Sequence, residues 1–111
     1  MSGVTTHVLD TSIGLPAAGV TVVLERSGEA GAWVALGRGE TDQDGRVGGL
    51  VADVTAGTYR LVFDTRAYFA ARRVDSFFPS VTIVFSVAEP HAHYHVPLLL
   101  SPFGYTTYRG S

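Results

Sequence analysis

A chain of 111 residues has the length of one domain, and with 46% hydrophobic and 16% charged residues it is too apolar and too sparsely charged to be intrinsically disordered. A net charge of −2, with eight arginines and no lysine set against ten acidic residues, disfavours nucleic acid or an anionic membrane as a partner and removes lysine nucleophiles. The absence of cysteine excludes disulfides, thiolate catalysis and cysteine-based zinc sites.

Thirteen glycines and five prolines cut the chain into short, β-branched runs. Gly3 to Thr11 reads as a strand, with Val4, Thr6 and Val8 on one face and Thr5, His7 and Leu9 on the other. A loop follows over Ser12 to Gly19. Val20 to Arg26 is a second strand and Trp33 to Glu40 a third. Thr41-Asp42-Gln43-Asp44-Gly45 is a turn, with Arg46 directly after it. Val47 to Asp53 reads as a weak fourth strand and Thr58 to Asp64 as a fifth. Thr65 to Val74 has neither Gly nor Pro. Ala67, Ala70, Ala71 and Val74 recur there at helical spacing and Thr65 is placed as an N-cap, so one short helix is expected near residues 65–74. Ser80 to Val87 alternates again. His91 to Leu100 and Gly104 to Ser111 are the last strands, and Pro97, which cannot donate to a ladder, predicts that its strand ends at an edge, bulge or rim close to it. Seven or eight short strands and one helix predict an all-β, two-sheet sandwich spanning residues 1–111 as one domain.

The longest uncharged stretch over this strand-rich middle, Ser76 to Ala88, is too short to cross a membrane as a helix, and Pro79 interrupts it. The first residues lack a basic segment followed by an apolar one, which predicts a cytoplasmic protein with no membrane contact. So apolar a composition in so short a chain also predicts self-association, which hides surface that a small domain leaves exposed.

Four features can carry chemistry. His7 is a polar ring on a strand face, where the plain reading is a hydrogen-bonded histidine. His91, His93 and His95 alternate, so in a strand they share one face while Ala92, Tyr94, Val96 and Leu98 face the core. Such a row is a solvated face, a zinc site or an acid–base pair. Arg46 is an ordinary turn arginine or a guanidinium that holds an oxyanion. The terminus Tyr108-Arg109-Gly110-Ser111 brings a phenol, a guanidinium, a hydroxyl and a carboxylate together. No G-x-S-x-G elbow, P-loop or G-x-G-x-x-G is present, and Asp42 and Asp44 read as turn formers.

At its two ends the sequence resembles a known family. Thr5-Thr6-His7-Val8-Leu9-Asp10-Thr11 looks like the start of the transthyretin-related proteins. The run from His93-Tyr94-His95-Val96-Pro97 to the closing Tyr108-Arg109-Gly110-Ser111 resembles the end of their enzyme branch, the 5-hydroxyisourate hydrolases. The turn into Arg46, Phe63-Asp64-Thr65 and Phe78-Pro79 fit as well. The resemblance implies a transthyretin-like sandwich and a homotetramer built as a dimer of dimers. It also implies hydrolytic ring opening of 5-hydroxyisourate in urate degradation, with no metal and no cofactor. Carried over by position, it makes His7, Arg46, His95 and Ser111 catalytic. His7, Arg46, Tyr108 and Arg109 bind substrate, and His91 and His93 are left as supporting or surface residues. The alternative is a non-enzymatic small-molecule carrier of the transthyretin type. Transthyretin lacks histidines at the positions of His7 and His95 and lacks the Tyr-Arg-Gly-Ser end.

Overall fold

A computed structural model describes residues 3–111. Met1 and Ser2, and with them the start of the N-terminal reading and of the 1–111 span, lie outside the described residues. Alternation of apolar and polar side chains builds two sheets whose apolar faces meet. The first holds β1 (Gly3–Asp10), β2 (Leu15–Pro16), β5 (Arg46–Val47), β8 (His93–Ser101) and β9 (Gly104–Thr107), in the order β2-β1-β8-β9, with β5 also pairing β1. The second holds β3 (Thr21–Ser27), β4 (Trp33–Glu40), β6 (Gly57–Phe63) and β7 (Val81–Val87), in the order β4-β3-β6-β7. β1 and β8 run parallel, while the other ladders are antiparallel. Val4, Val8, Val96, Leu98 and Leu100 of the first sheet pack against Val22, Leu24, Leu61, Phe63 and Val81 of the second, all buried. In β1 the alternation puts Val4, Thr6 and Val8 inward and leaves Thr5, His7 and Leu9 on the outer face, as expected.

The expected fourth strand shrinks to β5, Arg46–Val47. Gly48 and Gly49, the latter at φ +71°, break it. Leu50 and Val54 then fold into the core instead of extending a ladder. The Leu50 carbonyl presses so closely on Gly37 of β4 that any side chain there would overlap it.

Helix α1 (Thr65–Ala71) forms where expected, but its details differ. Its N-cap is Asp64, whose carboxylate accepts the Ala67 N–H, and Thr65 is the first helical residue. Its buried side is Thr65, Tyr68 and Phe69, and the alanines face solvent, because two aromatic rings hide far more apolar area than methyl groups. The helix stops at Ala71 in a Schellman closure, with Arg73 N–H on the Ala70 carbonyl and Val74 N–H on that of Phe69. Arg73 takes the left-handed position at φ +59°, so the usual glycine signal is missing from the sequence.

Tyr68 ties this helix to β1. Its hydroxyl donates to Asp10 Oδ2 at 2.8 Å, and Asp10, itself buried, also accepts from the Ser12 N–H and hydroxyl. Burial, and then the bond to the Asp10 carboxylate, push the Tyr68 phenol up to about 12 from 10.0. Because the folded value lies above the unfolded one, this contribution is complete below about pH 10 and is lost as the pH rises toward 12. Tyr68→Phe is expected to lower the unfolding free energy at neutral pH by about 1–3 kcal/mol, as the buried Asp10 loses a donor. Urea melts of the two proteins should converge as the pH approaches 12. Equal stability at pH 7 would remove Tyr68 from the account.

Candidate active site

Arg46 is placed by its turn. The Asp42 carboxylate accepts the N–H groups of Asp44 and Arg46, and the Asp42 N–H bonds the Arg46 carbonyl. The Arg46 N–H bond is the main reason the Asp42 carboxyl sits below its usual range. Gly45, at φ +76°, closes the turn and passes its carbonyl to the Val8 N–H, which fastens the turn to β1. Arg46 then pairs opposite His7.

β8 brings its histidines alongside β1 in parallel register, with His93 beside Gly3, His95 beside Thr5 and Pro97 beside His7. The expected row of three is a row of two. A turn at Glu89-Pro90, closed by the Ala92 N–H on the Glu89 carbonyl, leaves His91 before the strand and exposed. His93 and His95 stack at 6.5 Å, and both meet the hydroxyl of Thr5. Among the described residues, no three His, Asp or Glu side chains gather as a metal site.

β8 does not end at Pro97 but runs through it to Ser101. It is the partner strand that yields. β9 stops at Thr107, whose hydroxyl bonds the Pro97 carbonyl, and contact resumes only where the Gly110 N–H bonds the His95 carbonyl. The last expected strand is therefore short, and residues 108–111 form a tail across the edge of β8. Arg109 stacks on the Tyr94 ring at 4.8 Å.

The outer face of the first sheet thus carries a cleft of about 330 Å³ lined by Thr5, Arg46, Val47, His93, His95 and Ser111, among others. Three of the expected residues, Arg46, His95 and Ser111, line it together, and His7 lies on the same outer face beside Arg46. Tyr108 and Arg109 do not line this cleft but an adjoining, smaller cavity of about 140 Å³, with Ile83, Phe85, Tyr94 and His95, so His95 borders both. Sequence reasoning passed over Thr5, which it placed on the correct face but gave no task. Its spacing of two from His7 was the available signal.

His95 is set below its ordinary 6.5, first by burial and then by the electrostatic influence of Arg46, His93 and His7. At neutral pH it is an uncharged imidazole that can take a proton. A backbone–ring contact holds it. A Cβ on Gly110 would lie 2.5 Å from His95 Cδ2 and 3.2 Å from Pro97 Cγ. Gly110→Ala is expected to displace the ring or the tail and to reduce turnover by up to about 10²-fold with the fold retained, as small misplacements of reacting groups do. Circular dichroism and rate measurements on this variant check that outcome, and wild-type turnover would contradict it.

A family model described as "HIUase/Transthyretin family" matches residues 4–110. A 5-hydroxyisourate hydrolase of Salmonella dublin is 49% identical over 107 residues, covering 95% of this chain and 78% of the relative. The solved structure of Klebsiella pneumoniae 5-hydroxyisourate hydrolase is similar at 40% identity and a TM-score of 0.87, covering 99% of this chain and 100% of that one. Sea bream transthyretin in complex with thyroxine has 34% identity and a TM-score of 0.92, covering 96% of this chain and 93% of that one. With nearly its whole length matched, the chain belongs to the HIUase/Transthyretin family.

Proposed function

We propose that this chain is a 5-hydroxyisourate hydrolase of urate degradation. It opens the cyclic amide to 2-oxo-4-hydroxy-4-carboxy-5-ureidoimidazoline. The backbone alone does not choose between enzyme and carrier, since a thyroxine-bound transthyretin and a hydrolase superpose on it about equally well. The observation that carries the choice is the cleft in which an uncharged His95, the Arg46 guanidinium and the Ser111 terminus face one space. Hydrolysis of an amide needs these functions. In the proposed reaction His95 takes a proton from water as the water oxygen bonds the carbonyl carbon. Arg46 donates to the oxyanion that results. The oxyanion then re-forms the carbonyl as the C–N bond breaks, the leaving nitrogen takes a proton from His7 or the Ser111 hydroxyl, and the proton held by His95 passes to that donor, which returns the site to its starting state. Tyr108 and Arg109 remain proposed substrate-binding residues, supported by their exposure on the tail beside Ser111. No cofactor or metal has a part in these steps.

The proposed working form is one domain over residues 1–111, assembled as a homotetramer from two dimers in the cytoplasm. Large exposed apolar side chains, among them Leu15, Phe77, Val84 and Phe103, support association. No helix among the described residues is long and apolar enough to cross a membrane. The test is optical. Urate oxidase generates 5-hydroxyisourate in a cuvette, and its ultraviolet decay is followed with and without the protein. Strong acceleration over buffer is the expected result. Decay no faster than in buffer, from folded tetramer, would overturn the hydrolase, and thyroxine binding by the same sample would put the carrier in its place.

A further inference from the structure

The outer face of the first sheet holds a hydrogen-bonded row that the catalytic assignment does not use. Thr5 Oγ1 lies 3.0 Å from His93 Nε2 and 2.9 Å from His95 Nδ1. A hydroxyl has one hydrogen and accepts with its lone pairs. It can donate to only one of the two rings, so at least one of the facing nitrogens must carry a hydrogen for both bonds to form. The Thr5 hydroxyl takes up Nδ1 of His95 and so leaves Nε2 as the ring nitrogen open to water. For Nε2 to be bare, Nδ1 must carry the one hydrogen of the neutral imidazole and give it to the Thr5 hydroxyl. The Thr5 hydroxyl is then free to give its own hydrogen to His93 Nε2. The opposite edge of the His95 ring faces the tail, since Cδ2, to which Nε2 is bonded, lies against Gly110.

We infer that Thr5 is a positioning residue for the proposed hydrolysis: accepting the Nδ1–H of His95 and donating to His93 Nε2, it fixes the tautomer in which His95 Nε2 is bare and can take the proton from water. His93 is the acceptor that makes this arrangement complete. Without it the Thr5 hydroxyl would lose its outlet and would compete to donate to His95 Nδ1, which moves the ring hydrogen to Nε2 and blocks the base. The groups that bear on the charge of His95 here are Arg46, His93 and His7, each of which disfavours the cation. The Nδ1–H bond to Thr5 favours it.

This inference rests on the hydrolase reading for its rate effect but not for its geometry, and the experiment separates the two. Nitrogen-15 NMR of the imidazoles in the full chain, without substrate, reads the His95 tautomer directly. The expected spectrum of the wild type has hydrogen on Nδ1 and a bare Nε2. Hydrogen on Nε2 would overturn the inference whatever the activity. Thr5→Val keeps the shape and removes the hydroxyl. It is expected to mix the tautomers, lower kcat about tenfold and move the acid limb of the rate profile to lower pH, since a bond favouring the cation is gone. Thr5→Ser should restore all three. A Thr5→Val protein with wild-type kcat, acid limb and tautomer would contradict the inference. Failure of the wild type to hydrolyse 5-hydroxyisourate would remove the proposed function and leave the tautomer result standing on its own.

Discussion

His95→Asn is expected to slow 5-hydroxyisourate hydrolysis by about 10²–10⁴-fold, the usual loss when a placed acid–base group is removed. Asparagine keeps a polar side chain of similar reach but cannot take a proton near neutrality. The half-buried position and its neighbours should accept it, so the far-ultraviolet spectrum and melting temperature should change little. The wild type adds a second readout. A base works only when unprotonated, and His95 titrates below the ordinary 6.5 because burial, and after it the Arg46 guanidinium, disfavour its charge. The kcat/KM profile should therefore fall on an acid limb below 6.5. In His95→Asn that limb should vanish along with most of the rate. His7→Asn is expected to lose activity as well while retaining the limb, since the limb reports His95. An unchanged rate in His95→Asn would remove it from the mechanism.

Arg46→Gln is expected to cost about 10²–10³-fold in kcat, the range found when a donor to a developing oxyanion is lost. The side chain is exposed and its backbone bonds to the Asp42 turn do not depend on the guanidinium, so the fold should persist. The substitution has an electrostatic signature too. Arg46 is the second cause, after burial, of the depressed His95 value. Without that charge the acid limb should move up in pH toward 6.5. Arg46→Lys keeps a charge but loses the planar fork. It should leave the limb in place and still lose most of the rate. The pair thus separates the charge of Arg46 from its geometry, and a limb that stays put in Arg46→Gln would show that the two side chains do not sense each other.

Much of this molecule was legible in the chain. Alternation in β1 and β8 identified both faces of each strand, because successive side chains point to opposite sides whatever the strand packs on. The Asp42–Gly45 turn was readable because its bonds are local. What was missed turned on contacts between distant segments or on a local rule met by an unusual residue. The helix face went to Tyr68 and Phe69 because β1 offered a buried carboxylate to one of them. The end of that helix was hidden because Arg73 occupies a site that glycine usually marks. Residues 48–53 looked like a strand, yet two glycines and the pull of Leu50 into the core outweighed the pattern. Pro97 was read as ending its own strand, but β8 runs through it and it is β9 that stops beside it.

The sequence by itself determined the class of fold, the strand faces and the chemical repertoire: histidine, arginine, tyrosine and serine, without cysteine or lysine. Tertiary structure alone decided which of these meet. Thr5 reaches His95 across 90 residues because β1 and β8 pair in parallel, and Ser111 reaches the same cleft because its tail crosses the edge of β8. Local propensity cannot encode such a register. It is selected by the burial of Val4, Val8, Val96 and Leu98 on the inner face, and a shift of one residue would turn these side chains outward. The site on the outer face is thus positioned by the core on the inner one.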